Sequence, residues 1–174
     1  MIVFDASTLI LLAKVEALDL FLDDYKSKAV LPKEAEREVT AKKTFDGLFI
    51  RKRITEGKIK VVEAPEEMAA KLAEDFRLTK GEAEAVAVAA NDKNIVLATD
   101  DKNAINACKV LNIKFTTAVD FVVRAKEKNL LTKEEALSKV SELARYERYK
   151  QTIIENAESR IRSGENAKDS KRKD

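Results

Sequence analysis

A fully apolar run near the middle of the chain constrains the fold more than any other feature. The run occupies residues 95–98 and passes through Thr99 directly into Asp100 and Asp101. Strands that are apolar on both faces are typical of the interior of a parallel sheet, which helices cover on either side. We therefore predict a buried strand over residues 94–99 and an α/β fold around it.

Strands and helices alternate through the first two thirds of the chain. Apolar and alternating patterns predict strands at residues 2–4, 29–31, 59–62, 94–99 and 113–115. Helical patterns cover residues 33–40, 66–76, 82–91 and 102–111, with an amphipathic stretch at 15–25 and a mixed basic segment at 42–57 that stops at Gly57. This order predicts a three-layer α/β/α sandwich with a central, mostly parallel sheet, in which residues 59–62 form an edge strand.

The pattern changes after Thr132. Residues 134–162 are predicted as one helix whose apolar stripe runs from Ala136 to Ile161, and the basic last ten residues are predicted to be frayed or disordered. We accordingly predict a domain over residues 1–130 and a helical extension over residues 131–174. Because nothing downstream covers the stripe, we expect a homodimer or another protein partner to bury it.

The missing residue types exclude much chemistry. The chain has no histidine and one cysteine, Cys108, which excludes a Ser-His-Asp triad, a zinc finger and a disulfide framework; Cys108 is expected to be a small core residue. With 33 basic and 31 acidic residues, the chain is neither a strongly basic nucleic-acid arm nor an acidic disordered segment. Catalysis would have to use carboxylates, lysines, hydroxyls or a metal ion.

The location of the protein is also suggested by its composition. No apolar segment reaches the roughly 18 residues of a transmembrane helix, and the apolar start carries Asp5 where a signal peptide has basic residues. We expect a cytoplasmic protein that does not enter a membrane. Few glycines and prolines with many charged residues are typical of a thermophile.

Acidic residues follow the predicted strands. Asp5 follows the first strand, Asp100 and Asp101 follow the most buried one, Glu82 opens the most apolar helix, and Glu38 lies on the helix after the second strand. The carboxyl ends of parallel strands meet at one edge, where converging carboxylates repel each other unless a cation is bound. An all-oxygen ligand set selects Mg²⁺ or Mn²⁺, the ions used for phosphodiester hydrolysis.

Each acid also has a purely structural interpretation. Asp5 and the Asp100–Asp101 pair are suitable helix caps, Glu38 suits a solvated face, and Glu82 or Glu84 satisfies a helix dipole. Glycine-rich phosphate-binding motifs are absent, which disfavours a nucleotide site. The joint placement of the acids is what favours a metal site.

Four segments together resemble the PIN-domain family over residues 1–130. Residues 2–10, with Asp5 at the end of a strand, are similar to the family's opening; residues 30–39, with Glu38, are similar to its second motif. Gly81 to Ala85 resembles the third motif. Residues 96–101 resemble the fourth, in which a Thr or Ser precedes the acid by two positions and so points to Asp101.

The resemblance implies a metal-dependent endonuclease that cleaves single-stranded RNA. The implied ligands of Mg²⁺ or Mn²⁺ are Asp5, Glu38, Glu82 and Asp101, with Asp100 and Glu84 as alternatives, while Ser7 and Thr99 would orient carboxylates. Expected contacts to the RNA backbone are Arg51, Lys52 and Arg53, together with Lys58 and Lys60. Many relatives are toxins of toxin–antitoxin pairs, in which an antitoxin inserts a peptide over the acidic site, and dimers are common.

Two other classes of function remain open at this point. One is a non-catalytic RNA- or protein-binding module on the same fold, and the other is a structural α/β domain whose acids only cap helices. A metal titration separates both from a nuclease.

Overall fold

A computed structural model of the chain describes residues 1–24, 29–41 and 43–163, and within them it contains five strands and ten helices. The strands are β1 (Ile2–Phe4), β2 (Ala29–Pro32), β3 (Ile59–Val62), β4 (Val96–Ala98) and β5 (Lys114–Thr116). The helices are α1 (Ala6–Lys14), α2 (Leu18–Asp24), α3 (Lys33–Ala41), α4 (Phe45–Thr55), α5 (Glu66–Phe76), α6 (Lys80–Ala90), α7 (Lys102–Leu111), α8 (Ala118–Glu127), α9 (Lys133–Tyr146) and α10 (Gln151–Ser163).

The sheet has the order β3-β2-β1-β4-β5, and every neighbouring pair is parallel. The first strand of the chain is thus the central one, and β3 lies at an edge as predicted. Phe4 of β1 is in register with Ala98 of β4, so Asp5 and Thr99 leave the sheet side by side. This register brings the acidic residues that follow the two strands to the same edge.

Helices cover both faces of the sheet, which confirms the predicted three-layer α/β/α fold. Val3 faces a core that contains apolar residues of α5, α6 and α7. The next residue, Phe4, faces the opposite side, where its ring packs edge-on against Phe21 of α2 with centroids 5.1 Å apart. Alternation along one strand therefore supplies both cores.

The structure differs from the prediction in the following two segments. The mixed basic segment contains α4, after which Gly57 adopts a left-handed φ of 73° at the predicted stop. The helix predicted over residues 134–162 is two helices, because the chain leaves the helical path after Tyr146 and resumes at Gln151. The predictions for Tyr25 and for the last ten residues lie outside the described residues.

The chain divides into two compact units, residues 1–117 and residues from 118 onward. The predicted domain boundary at residue 130 remains a prediction. Within the second unit, α8, α9 and α10 pack on one another. Most of the predicted apolar stripe is buried within this unit, including Ala136, Leu143 and Ile161, whereas Ile153 is 44% exposed. A homodimer or another partner on this region remains a prediction. No helix in the described ranges is both long and apolar enough to cross a membrane.

The burial of the last helix predicts an asymmetric effect of two identical substitutions. Ile161→Ala removes a side chain that is 1% exposed and should lower the free energy of unfolding by about 2–4 kcal/mol. Ile153→Ala removes one that is 44% exposed and should cost less than about 1 kcal/mol. Denaturant unfolding of both variants measures the difference. Equal costs would show that α10 does not pack as described.

Candidate active site

Asp5 is the centre of the candidate site. It is 2% exposed and caps α1, accepting hydrogen bonds at Oδ1 from the Thr8 amide (2.8 Å) and the Ser7 hydroxyl (3.0 Å). Its Oδ2 accepts a hydrogen bond from the Thr99 hydroxyl, which arrives from the end of β4. Ser7 and Thr99 thus both donate hydrogen bonds to this carboxylate; the orienting role that the resemblance implies for them remains a prediction.

Asp100 lies within electrostatic reach of Asp5. Thr8 joins the two, because its backbone amide donates to Asp5 and its hydroxyl donates to Oδ2 of Asp100 at 2.7 Å. Asp101, the expected ligand from β4, instead caps α7 by accepting a hydrogen bond from the Ala104 amide at 2.8 Å. The geometry thus couples Asp100 to Asp5 and gives Asp101 a structural partner.

Burial raises the pKa of the Asp5 carboxyl to about 7. Hydrogen bonds from Thr99, Thr8 and Ser7 favour the charged form, but they offset only part of the desolvation. The negative charge of Asp100 raises the Asp5 pKa further. A cation near Asp5 and Asp100 would lower the pKa of both carboxyls, since it favours their ionised forms.

Glu38 forms a second acidic group on α3. Its side chain is exposed, but its carboxylate lies against Gly81, where a methyl group in place of hydrogen would clash with Oε1. Partial desolvation there raises the pKa of the Glu38 carboxyl. Three nearby negative charges raise it further, those of Glu34, Glu82 and Glu84.

Glu82 and Glu84 each accept a hydrogen bond from a backbone amide at the start of a helix. Glu82 completes a capping box with Thr79, whose amide it accepts at 2.9 Å. Glu84 accepts the Glu34 amide at the first turn of α3, also at 2.9 Å. The two side chains thus accept hydrogen bonds from different helix starts, although both charges act on the Glu38 carboxyl.

The predicted RNA contacts differ in exposure. Arg51 and Lys52 are exposed on α4, although Arg51 donates to the Thr40 carbonyl at 3.1 Å. The Arg53 side chain is 12% exposed and forms ion pairs with Asp19 and Glu56. Arg53 is therefore held by contacts within the chain, whereas Arg51 and Lys52 remain exposed, with the Lys52 amine 3.9 Å from Oε1 of Glu56.

Two residues of the site, Thr8 and Gly81, are not predicted from the sequence as functional residues. Thr8 is adjacent to the predicted Ser7, and its position three residues after a capping Asp is a local signal for the hydrogen bond to Asp5. Gly81 was noted only as part of a motif, and its role beside Glu38 depends on how α3 approaches α6. That approach is a tertiary property and leaves no local signal.

The carboxylates form two groups instead of one cage. Across the described residues no three acidic or cysteine side chains stand close enough to hold a metal ion by themselves. Mg²⁺ nevertheless keeps several waters and commonly binds one or two carboxylates plus a substrate phosphate. The donor chemistry of Asp5 and Asp100, two neighbouring carboxylates at one sheet edge, fits such an ion.

Comparison with known families identifies the fold. Residues 1–162 match the family model DUF3368, described as a PIN domain. The chain therefore belongs to the PIN-domain family, whose members are generally nucleases. No curated protein matches the chain.

The buried carboxyl predicts an unusual pH dependence. A folded-state pKa of about 7, above the ordinary 3.8, stabilises the metal-free protein below about pH 4 and loses that contribution as the pH rises through 7. The free energy of unfolding should fall over this window by up to about 4 kcal/mol, at about 1.4 kcal/mol per pKa unit. Asp5→Asn should flatten the fall when unfolding is measured in EDTA at several pH values.

Asp101→Asn is the matched control, because asparagine caps a helix nearly as well as aspartate. It should keep the fall between pH 4 and 7. A wild-type protein whose stability rises over this window would contradict the burial of Asp5.

Proposed function

We propose that the protein hydrolyses phosphodiester bonds of single-stranded RNA with the help of Mg²⁺ or Mn²⁺. Membership of a family of nucleases supports this function. The observation that carries it is the Asp5–Asp100 pair, in which a buried carboxylate faces a second negative charge where cation binding would be favourable. If Asp5 and Asp100 only capped helices, the two carboxylates would not need to lie close together.

The residues of the chain divide the work. Asp5 and Asp100 would hold the cation, with Asp5 oriented by Ser7 and Thr99 and Asp100 oriented by Thr8. When bound, a divalent cation makes water a better nucleophile near neutral pH and offsets charge on the phosphate.

Glu38 is the best-placed acid of the second group. Its carboxylate lies against Gly81, and partial burial raises its pKa, which favours a role in proton transfer with water or a leaving oxygen. Glu82 and Asp101 remain proposed ligands from the resemblance, although each uses one carboxylate oxygen in a helix cap. Their substitution should therefore affect helix ends as well as any activity.

The biological setting is proposed from the family resemblance. The proposal includes a toxin role, in which an antitoxin would cover the acidic site. It also includes a homodimer. A cytoplasmic location is supported by the single, buried Cys108, which carries no disulfide. A small neighbouring gene with a DNA-binding start would support the toxin role.

Manganese should raise the melting temperature of the wild type but not of Asp100→Asn. A ligand that binds only the folded state stabilises it by about 2.7 kcal/mol at a hundredfold excess over its Kd. Asp92→Asn is the matched control, because Asp92 precedes β4 at the other end of the strand and is exposed. It should keep the full response. Melting curves in EDTA and in millimolar Mn²⁺ give the comparison.

The reaction itself is tested with the same proteins. Wild type and Asp92→Asn should cleave a mixed single-stranded RNA in Mn²⁺ and stop in EDTA, and Asp100→Asn should lose most of this activity. A wild type whose melting temperature ignores Mn²⁺ and whose RNA stays intact would favour a non-catalytic binding module.

Gly81→Ala should separate activity from stability. Alanine favours the helix by up to about 1 kcal/mol, but its methyl group displaces the Glu38 carboxylate. We expect unchanged or higher stability with hydrolysis lowered on the order of 10- to 100-fold. Adding Glu38→Gln should then cost little more, because both changes remove the same group. Full additivity of the two losses in single-turnover rates would contradict this link.

A further inference from the structure

α4 presents an apolar face to solvent. Phe45 is 74% exposed and Leu48 is 54% exposed, whereas Gly47 and Ile50 of the same helix are buried. Phe49, one turn after Phe45, is partly buried. Adjacent exposed side chains of this size mark an interaction surface more often than isolated ones do.

Three side chains on this face form a continuous stack, defined here as Phe45, Phe49 and Arg53. The rings of Phe45 and Phe49 are nearly parallel, with centroids 6.1 Å apart and planes inclined by 19°. The Arg53 guanidinium lies 4.4 Å from the centroid of the Phe49 ring. Since the three residues are spaced four apart, the stack follows the helix axis and Phe45 is its exposed end.

The inner end of the stack is fixed. Arg53 donates Nε and Nη2 to the two carboxylate oxygens of Asp19, at 2.6 and 2.5 Å, and Nη1 to Glu56 at 2.8 Å. The Arg53 hydrogen bonds hold the pKa of Asp19 below its ordinary value, so this pair stays ionised at neutral pH. A fixed guanidinium positions the rings before any ligand arrives, which lowers the entropy cost of binding.

The charge around the stack favours a polyanion. Residues 43–58 contain five basic and two acidic residues, a net charge of +3, which exceeds the +2 of the whole chain. Arg51 and Lys52 are exposed within this segment. Aromatic rings beside cations are the combination that binds single-stranded nucleic acid, because bases stack while phosphates meet the positive charge.

We propose that the stack continues into a base of single-stranded RNA, which lies on the exposed face of Phe45. The identity of the ligand rests on the proposed function, since an RNA substrate needs a surface that holds the strand beyond the cleaved bond. Arg51 and Lys52 contact its phosphates. Any base has a π-face, so this subsite holds the strand with little sequence preference.

The absence of tryptophan gives a direct test. Phe45→Trp introduces a single indole at the end of the stack, and a stacked base quenches its emission. We expect quenching by single-stranded oligoadenylate in EDTA, and none by the same RNA in a duplex, whose bases are paired and stacked already. Tyr146→Trp, at a 52% exposed aromatic position on α9, is the matched control and should not respond.

Affinity for the same oligonucleotide, measured by anisotropy in EDTA, tests the contribution of the ring. Phe45→Ala should weaken binding about 5- to 100-fold, the usual range for one stacked base. Phe45→Leu keeps the apolar area but removes the π-face, and it should weaken binding nearly as much. The three variants of Phe45 (to Trp, Ala and Leu) should have the melting temperature of the wild type, because the Phe45 side chain is mostly exposed.

Two results would overturn the proposal. The first is unquenched Phe45→Trp emission together with unchanged affinity of Phe45→Ala. The second is a wild-type dimer in light scattering that Phe45→Ala dissociates and Phe45→Leu preserves, which would assign the face to protein docking. Failure of this proposal is distinguishable from failure of the nuclease proposal, because the manganese response and RNA cleavage are measured separately, on the wild type and on Asp100→Asn and Asp92→Asn.

Discussion

The burial of the Asp5 carboxylate is the constraint around which the acidic edge of the sheet is arranged. An ionised carboxylate loses its hydration when it is 2% exposed, and such a loss is tolerated only with hydrogen-bond donors in place. Thr8 and Thr99, both almost fully buried, supply donors from α1 and from the end of β4. One side chain thereby links the central strand, the helix that follows it and the neighbouring strand.

The sequence predicts the sheet and its acidic edge because the relevant signals are local. The apolar run before Thr99 indicates a buried parallel strand, and β4 occupies an interior position between β1 and β5. Asp5 directly follows a short apolar strand, so its place at the carboxyl edge depends only on strand direction. The predicted placement of Asp5 and Asp100 at one edge therefore agrees with the fold, whereas Glu38 belongs to a second acidic group.

Other features depend on contacts that no local pattern encodes. α4 is not predicted from the sequence because both its buried face and its exposed face carry apolar residues. Phe45 and Ile50 therefore do not produce one clear helical periodicity. Asp100 and Asp101 are adjacent in sequence, and only the hydrogen bonds of Thr8 and Ala104 distinguish the paired acid from the cap. The break after Tyr146 is likewise a tertiary outcome, because α10 turns back to pack on α8 and α9.

The position of β1 has a consequence for the order in which the protein is assembled. The first strand to be synthesised is the central strand of the sheet, and one of its two neighbours, β4, is made last but one. The hydrogen bond between Thr8 and Asp100 closes a separation of 92 positions. Contacts this distant in sequence form late in folding, since a long loop must close first. A chain still emerging from the ribosome therefore carries Asp5 without its partner, and any activity that needs both carboxylates is withheld until the α/β unit is nearly complete.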